Sequence, residues 1–135
     1  MLPTGFQIRF EGVKRAIAFK DAQWEVMGKI QPNARAKLEA TMKAYCDRGP
    51  QDIPPQRFKF ELQYEHAGKK TRLEAFKARH VRVYGACGSL GGRPVFLVTG
   101  MDTSKKDDAA DQKILQAAGK SAHKVLHETN RATLK

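Results

Sequence analysis

Between the Pro54-Pro55 break and Val98 the chain returns again and again to a period of two, and this stretch constrains the fold more than any other feature. Phe58, Phe60, Leu62 and Tyr64 alternate with Arg57, Lys59, Glu61 and Gln63, the pattern of a strand or extended arm with one buried face. The basic turn His66-Ala67-Gly68-Lys69-Lys70 leads into a second strand-like stretch, Arg72 to Lys77. In a third, His80 to Cys87, the residues Val81, Val83, Gly85 and Cys87 share one face, and His80, Arg82, Tyr84 and Ala86 share the other. Gly88-Ser89-Leu90-Gly91-Gly92 then reads as a hairpin loop into Val95-Phe96-Leu97-Val98. It is not a phosphate-binding loop, because the Lys-Ser or Lys-Thr ending is missing and no helix follows. Connections this short make neighbouring strands antiparallel.

The flanking segments supply a further strand and the helices. Phe6, Ile8 and Phe10 alternate with Gln7 and Arg9, and Glu11-Gly12 ends that strand. The stretch from Val13 to Ile30 has two readings: Ile17 and Phe19 alternate like a strand, while Asp21 can cap a short helix that buries Trp24, Met27 and Ile30. The helix, near residues 21–29, is the reading adopted. A second helix is expected over 33–48, opened by Pro32-Asn33, carried by Leu38, Met42 and Tyr45, and stopped by Gly49-Pro50. From Asp107 a last helix is expected to about His127, burying Ile114, Ala118, Ala122 and Val125, with acids in its first turn and Lys120, Lys124 and His127 toward its end. Gly119 inside it costs about 1 kcal/mol relative to alanine. The expected fold is therefore α+β, a small antiparallel sheet packed against helices, in a single domain spanning 1–135 with its core at about 6–127 and a frayed tail over 128–135.

Composition narrows the classes of partner. Twenty-five Lys and Arg against 14 Asp and Glu leave a net charge of +11, which favours a polyanion. No segment joins a basic face to a broad apolar one, so an anionic membrane is the weaker candidate. Cys46 and Cys87 are too few for a disulfide framework and form no metal-ligand spacing, so both are expected as reduced thiols, with no metal and no cofactor. Met1 to Gly5 lacks a charged region followed by an apolar one, and the longest aliphatic run is about Val95 to Val98. A cytoplasmic chain with no membrane span is expected.

Leu73-Glu74-Ala75-Phe76-Lys77-Ala78-Arg79-His80-Val81-Arg82-Val83-Tyr84, then a glycine-rich turn, an apolar strand and Lys105-Lys106, resembles the RelE/ParE toxin superfamily in its HigB or phage-protein-like branch. Ile8-Arg9-Phe10-Glu11-Gly12 and the helix carrying Ala34-Arg35-Ala36-Lys37-Leu38 are similar to that branch's first strand and long helix, so the resemblance covers about residues 6–127. Tyr64-Glu65-His66 and Gly100-Met101-Asp102 depart from its pattern. The resemblance implies a RelE-like toxin fold and an endoribonuclease that cuts mRNA on the translating ribosome, held in a hetero-oligomer by a cognate antitoxin. Its ParE branch implies instead a gyrase-directed toxin. A catalytically inactive phage protein that only binds RNA is the third alternative.

Cleavage of RNA without a metal requires a base for the 2′-hydroxyl, donors for the charge growing on phosphate, and an acid for the leaving 5′-oxygen. Lys77, beside Arg79 and Arg82, is the candidate base, because a lysine crowded by cations can lose its proton where an arginine cannot. Arg82 would hold phosphate, while His80 or Tyr84 would donate a proton or stack on a base. The resemblance also puts basic function at Lys77 and at Lys105 or Lys106. Lys69, Lys70 and Arg79 are candidate RNA-phosphate contacts. Each has a plainer reading: Lys69 and Lys70 as a solvated turn, His80 as a surface histidine, Tyr84 as core, Lys105 and Lys106 as binding residues only. His66, His123 and His127 read as surface residues and Trp24 as core packing.

Overall fold

The computed structural model describes residues 2–103 and 111–129. Six strands, β1 (Phe6–Glu11), β2 (Ala16–Lys20), β3 (Phe58–His66), β4 (Lys69–Ala78), β5 (Val81–Leu90) and β6 (Arg93–Asp102), form one sheet in the order β1-β2-β6-β5-β4-β3. Helices α1 (Asp21–Gly28) and α2 (Pro32–Arg48) follow β2, and α3 (Gln112–His123) follows β6 and runs on as a π-helical turn, Lys124–Thr129. The protein is thus α+β, with α1 and α2 on one face of the sheet and α3 on the other.

The sheet is mixed, which corrects the antiparallel expectation. Four neighbouring pairs are antiparallel, but β2 runs parallel to β6, with Ile17 opposite Phe96 and Phe19 opposite Val98. That pairing follows from burial on both sides. Ile17 and Phe19 pack toward α2 with Phe96 and Val98, while Ala16 and Ala18 pack on the other face with Val95 and Leu97. A strand buried on both faces belongs in the middle of a sheet, and the long stretch of chain from β2 to β6, carrying α1, α2 and β3 to β5, is ample for a parallel pairing. Both readings of 13–30 hold, since the strand ends at Lys20 and α1 starts at Asp21.

On the α2 face Tyr45, Phe58, Phe76 and Phe96 form a ring cluster with centroids 4.7–6.0 Å apart and mostly edge-on or tilted. Trp24 packs edge-on against Phe19 and Phe10, as core packing should. On the opposite face Leu115, Ala118 and Ala122 of α3 meet Leu73, Ala75, Tyr84 and Ala86. The buried stripe of α3 therefore turns slightly from the expected one: Leu115 and His123 are buried, and Ile114 and Val125 only half-buried. Gly119 has a structural reason, because a Cβ there would come within 3.1 Å of the Tyr64 ring. His123 is likewise no surface residue: it is 2% exposed, with Nδ1 2.9 Å from the Thr71 hydroxyl and the rings of Tyr64 and His127 against it.

Turn chemistry sets the register. The β5–β6 turn is tighter than the expected five-residue loop, because the strands continue through Gly88 to Leu90 and only Gly91-Gly92, both at positive φ, turn the chain. Ala67-Gly68 do the same between β3 and β4.

Candidate functional site

The shortest route from sequence to site runs through the β4–β5 hairpin. Its turn is Arg79-His80, so Ala78 faces Val81 and Lys77 faces Arg82 across the strands. Arg82 in turn faces Asp102 on β6. Directly opposed residues project to one side of a sheet, so Lys77, Arg82 and Asp102 make a row across three strands, on the face that α3 covers. Lys77 is half-buried and its Nζ lies 3.4 Å from the Pro55 carbonyl oxygen, to which it donates. Arg82 is 8% exposed, and its Nε is a buried donor that meets no acceptor among the described residues. Asp102 is also buried.

Tyr84 lies two positions further along the same face and is wholly inside. Its hydroxyl meets no acceptor among the described residues. Burial first, and then the charge of Glu61, push its pKa up to about 12, against which Arg82 pulls weakly down. A neutral, enclosed phenol neither stacks on a base nor relays protons, so the plainer reading of Tyr84 as core is the one the geometry supports.

The hairpin tip is different. His80 is exposed and sits at φ 63°, a left-handed conformation that histidine tolerates better than most side chains, and its Nε2 accepts from the Arg79 Nε at 3.2 Å. Strain of this kind costs about 1–3 kcal/mol and gathers at functional sites. We expect His80→Val to destabilise the fold by roughly 2 kcal/mol more than His80→Gly, because the β-branched side chain resists positive φ. Urea midpoints of the two variants measure this; equal midpoints would mean the turn relaxes freely.

Arg79 and His80 also line a cleft of about 780 Å³ between the turn and the ends of α1 and α2. Lys29 and Lys37 stand on its other side, and no carboxylate is among its described lining residues. Sequence reasoning missed both lysines. On α2 Lys37 belongs to the solvated side of the helix, beside buried Ala34 and Leu38, and only the tertiary fold turns it toward His80.

The remaining basic candidates do not join this group. Lys69 and Lys70 open β4 eight and seven residues before Lys77, about 23–26 Å away along an extended strand, and the Lys70 carbonyl oxygen lies 3.0 Å from the His127 Nε2. Lys105 and Lys106 lie outside the described residues. Lys77, Arg79, His80 and Arg82 thus come together at one sheet end, while Lys69 and Lys70 lie at the other and Tyr84 is core. Among the described residues no three His, Cys, Asp or Glu side chains form a metal-holding group. No described helix is long and apolar enough to cross a membrane. Neither a family model, nor a curated protein, nor a solved structure matches the chain.

Proposed function

We propose that this chain is a toxin-type endoribonuclease of the RelE/HigB kind, acting in the cytoplasm on mRNA at the ribosome and held inactive by an antitoxin protein. The observation that supports it is the cross-strand pair Lys77–Arg82 immediately behind the Arg79-His80 tip, four basic or imidazole groups within six positions of a protein carrying +11. An RNA strand laid over this tip would meet Lys77, Arg79 and His80, and Arg82 once the face above it opens. Lys77 then takes the 2′-hydroxyl proton, Arg79 and Arg82 hold the non-bridging phosphate oxygens, and His80 returns a proton to the departing 5′-oxygen. The 2′-oxygen forms its bond to phosphorus as the bond to the 5′-oxygen breaks, leaving a 2′,3′-cyclic phosphate and a free 5′-hydroxyl. No metal enters that scheme.

The burial of Arg82 favours one second reading, RNA binding without cleavage, since a guanidinium 8% exposed reaches phosphate only if the face above it opens.

Expression without a partner is expected to arrest growth, and Lys77→Ala with Arg82→Ala to relieve the arrest. On ribosome-bound mRNA the double variant should cut at least about 100-fold more slowly while keeping the parent's far-ultraviolet circular dichroism. Lys77→Ala alone, at a half-buried position, guards against a folding defect at Arg82. Undiminished toxicity at equal abundance would remove the assigned residues. Products with 5′-phosphates would remove the mechanism, and steeply salt-dependent binding with no cleavage would select the second reading.

A further inference from the structure

The cleft behind the hairpin tip lies on the α1–α2 face, away from the side to which Lys77 and Arg82 point. Its volume, about 780 Å³, falls within the roughly 300–1,000 Å³ of small-molecule sites. Three cations face it, Lys29 after the end of α1, Lys37 on α2 and Arg79 from the β4–β5 turn, with the His80 imidazole beside Arg79. Like charges gathered around one concave space repel one another, and an anion in the space relieves that repulsion. The inner wall is apolar, built by Ile30 and Val81, which are 8% and 5% exposed. Asn33 and Gln31 add amide groups; the Gln31 Oε1 accepts from the Ala34 N–H at 3.0 Å, which fixes that side chain across the opening turn of α2.

A cationic rim, an apolar wall and side-chain amides match one ligand chemistry better than others. We infer that this cleft binds a nucleotide, with the phosphate among Lys29, Lys37 and Arg79, the base against Ile30 and Val81, and Asn33 at the base edge. A bare phosphate would leave the apolar wall unused. The His80 ring, at the mouth and steadied by Arg79, is placed to stack on the base. The nucleotide is either free or one unit of an RNA strand crossing the hairpin tip, and the two share the same contacts. This inference goes beyond cleavage and holds whether or not Lys77 and Arg82 cut RNA.

The test is binding to the full-length chain, followed by backbone amide chemical shifts and calorimetry, with adenosine 5′-monophosphate, inorganic phosphate and a single-stranded RNA hexamer as probes. Adenosine monophosphate is expected to shift the amides of Ile30, Lys37, His80 and Val81, and to bind at least about tenfold more tightly than phosphate. Lys29→Ala and Lys37→Ala remove exposed side chains and should each weaken it about fivefold to tenfold. A hexamer that shifts the same amides and binds more than tenfold better than the mononucleotide assigns the site to the RNA strand; equal affinities assign it to the free nucleotide. Equal affinity for phosphate and nucleotide, shifts confined to residues outside the cleft, or binding indifferent to both lysine substitutions would each overturn the assignment. None of these readouts needs cleavage, so the site and the ribonuclease fail independently.

Discussion

Raising the pH from 9 to 12 is expected to unfold this protein, although the same change discharges lysines and so relieves the repulsion of a +11 chain. The cause is three buried acids held neutral by the fold. Cys46, 1% exposed beneath the β1–β2 loop, has its thiol pKa raised from 9.0 to about 11, first by burial and then by the charge of Asp47. Tyr84 is raised from 10.0 to about 12, and Tyr45, inside the aromatic cluster, is raised by burial beyond the range of an ordinary phenol despite the Arg15 guanidinium beside it. A raised pKa means that the folded state keeps its proton where the unfolded chain loses it. Stability from Cys46 is therefore complete below about pH 9 and lost by about pH 11, and that from Tyr84 is complete below about pH 10 and lost by about pH 12. Each two-unit separation corresponds to at most roughly 3 kcal/mol, so the two together are of the same order as the roughly 5 kcal/mol at the lower end of a typical domain's stability. Far-ultraviolet circular dichroism should fall in step with tyrosinate absorbance at 295 nm. Tyr84→Phe deletes a buried hydroxyl with no acceptor among the described residues, so it should hold or raise stability at neutral pH by up to about 1 kcal/mol and move the alkaline midpoint upward. A spectrum unchanged to pH 12, or an unmoved midpoint in Tyr84→Phe, would contradict this account.

The same residues show why some of this architecture can be read from sequence and some cannot. Strand β4 carries its burial in the alternation of neighbours, and α2 starts at Pro32 and ends before Gly49 as its opening and stop residues require. Strands β5 and β6, by contrast, are buried on both faces over most of their length. Strand β3 departs from its expected single buried face: Phe60 is exposed, and Phe58 and Leu62 pack on opposite sides across the irregularity between Phe60 and Leu62. The pairing of Lys77 with Arg82 is local too, because a two-residue turn leaves no other register. What escaped was settled between distant segments. Strand β2 is buried on both faces, so Ala16 and Ala18 blur its alternation, and its parallel partner lies 79 residues on, from Ala16 to Val95. His123 is polar by sequence and buried because Thr71, 52 residues earlier, supplies a partner. Lys29 and Lys37 join the cleft only once α1 and α2 have docked beside the β4–β5 turn.

Glycine makes the same point energetically, through one substitution with opposite outcomes at two places. Gly85 lies in β5, and a Cβ built on it would stand 2.3 Å from the Leu97 carbonyl oxygen and 2.6 Å from the Phe96 ring. Neither neighbour yields cheaply: Leu97 is held in the β5–β6 ladder, and Phe96 is wedged against Tyr45, Phe58 and Phe76. The register of that ladder already shifts between Tyr84 and Gly85, so the strands approach here in a way only a residue without a side chain permits. Gly85→Ala is expected to cost more than about 3 kcal/mol, in the class of overpacked cores, and to lower the melting temperature by more than about 10 °C. At Gly28, the last residue of α1, an added Cβ meets nothing within 4 Å and φ is not in the left-handed region. There the methyl group narrows the unfolded ensemble and favours the helix, so Gly28→Ala should raise stability by about 0.5–1 kcal/mol. Thermal and urea unfolding of the two variants side by side decide the matter. If Gly85→Ala is tolerated within about 1 kcal/mol, the β5–β6 approach is looser than these contacts require, and Phe96 cannot be the fixed wall that seats the β4–β5 hairpin and its basic tip.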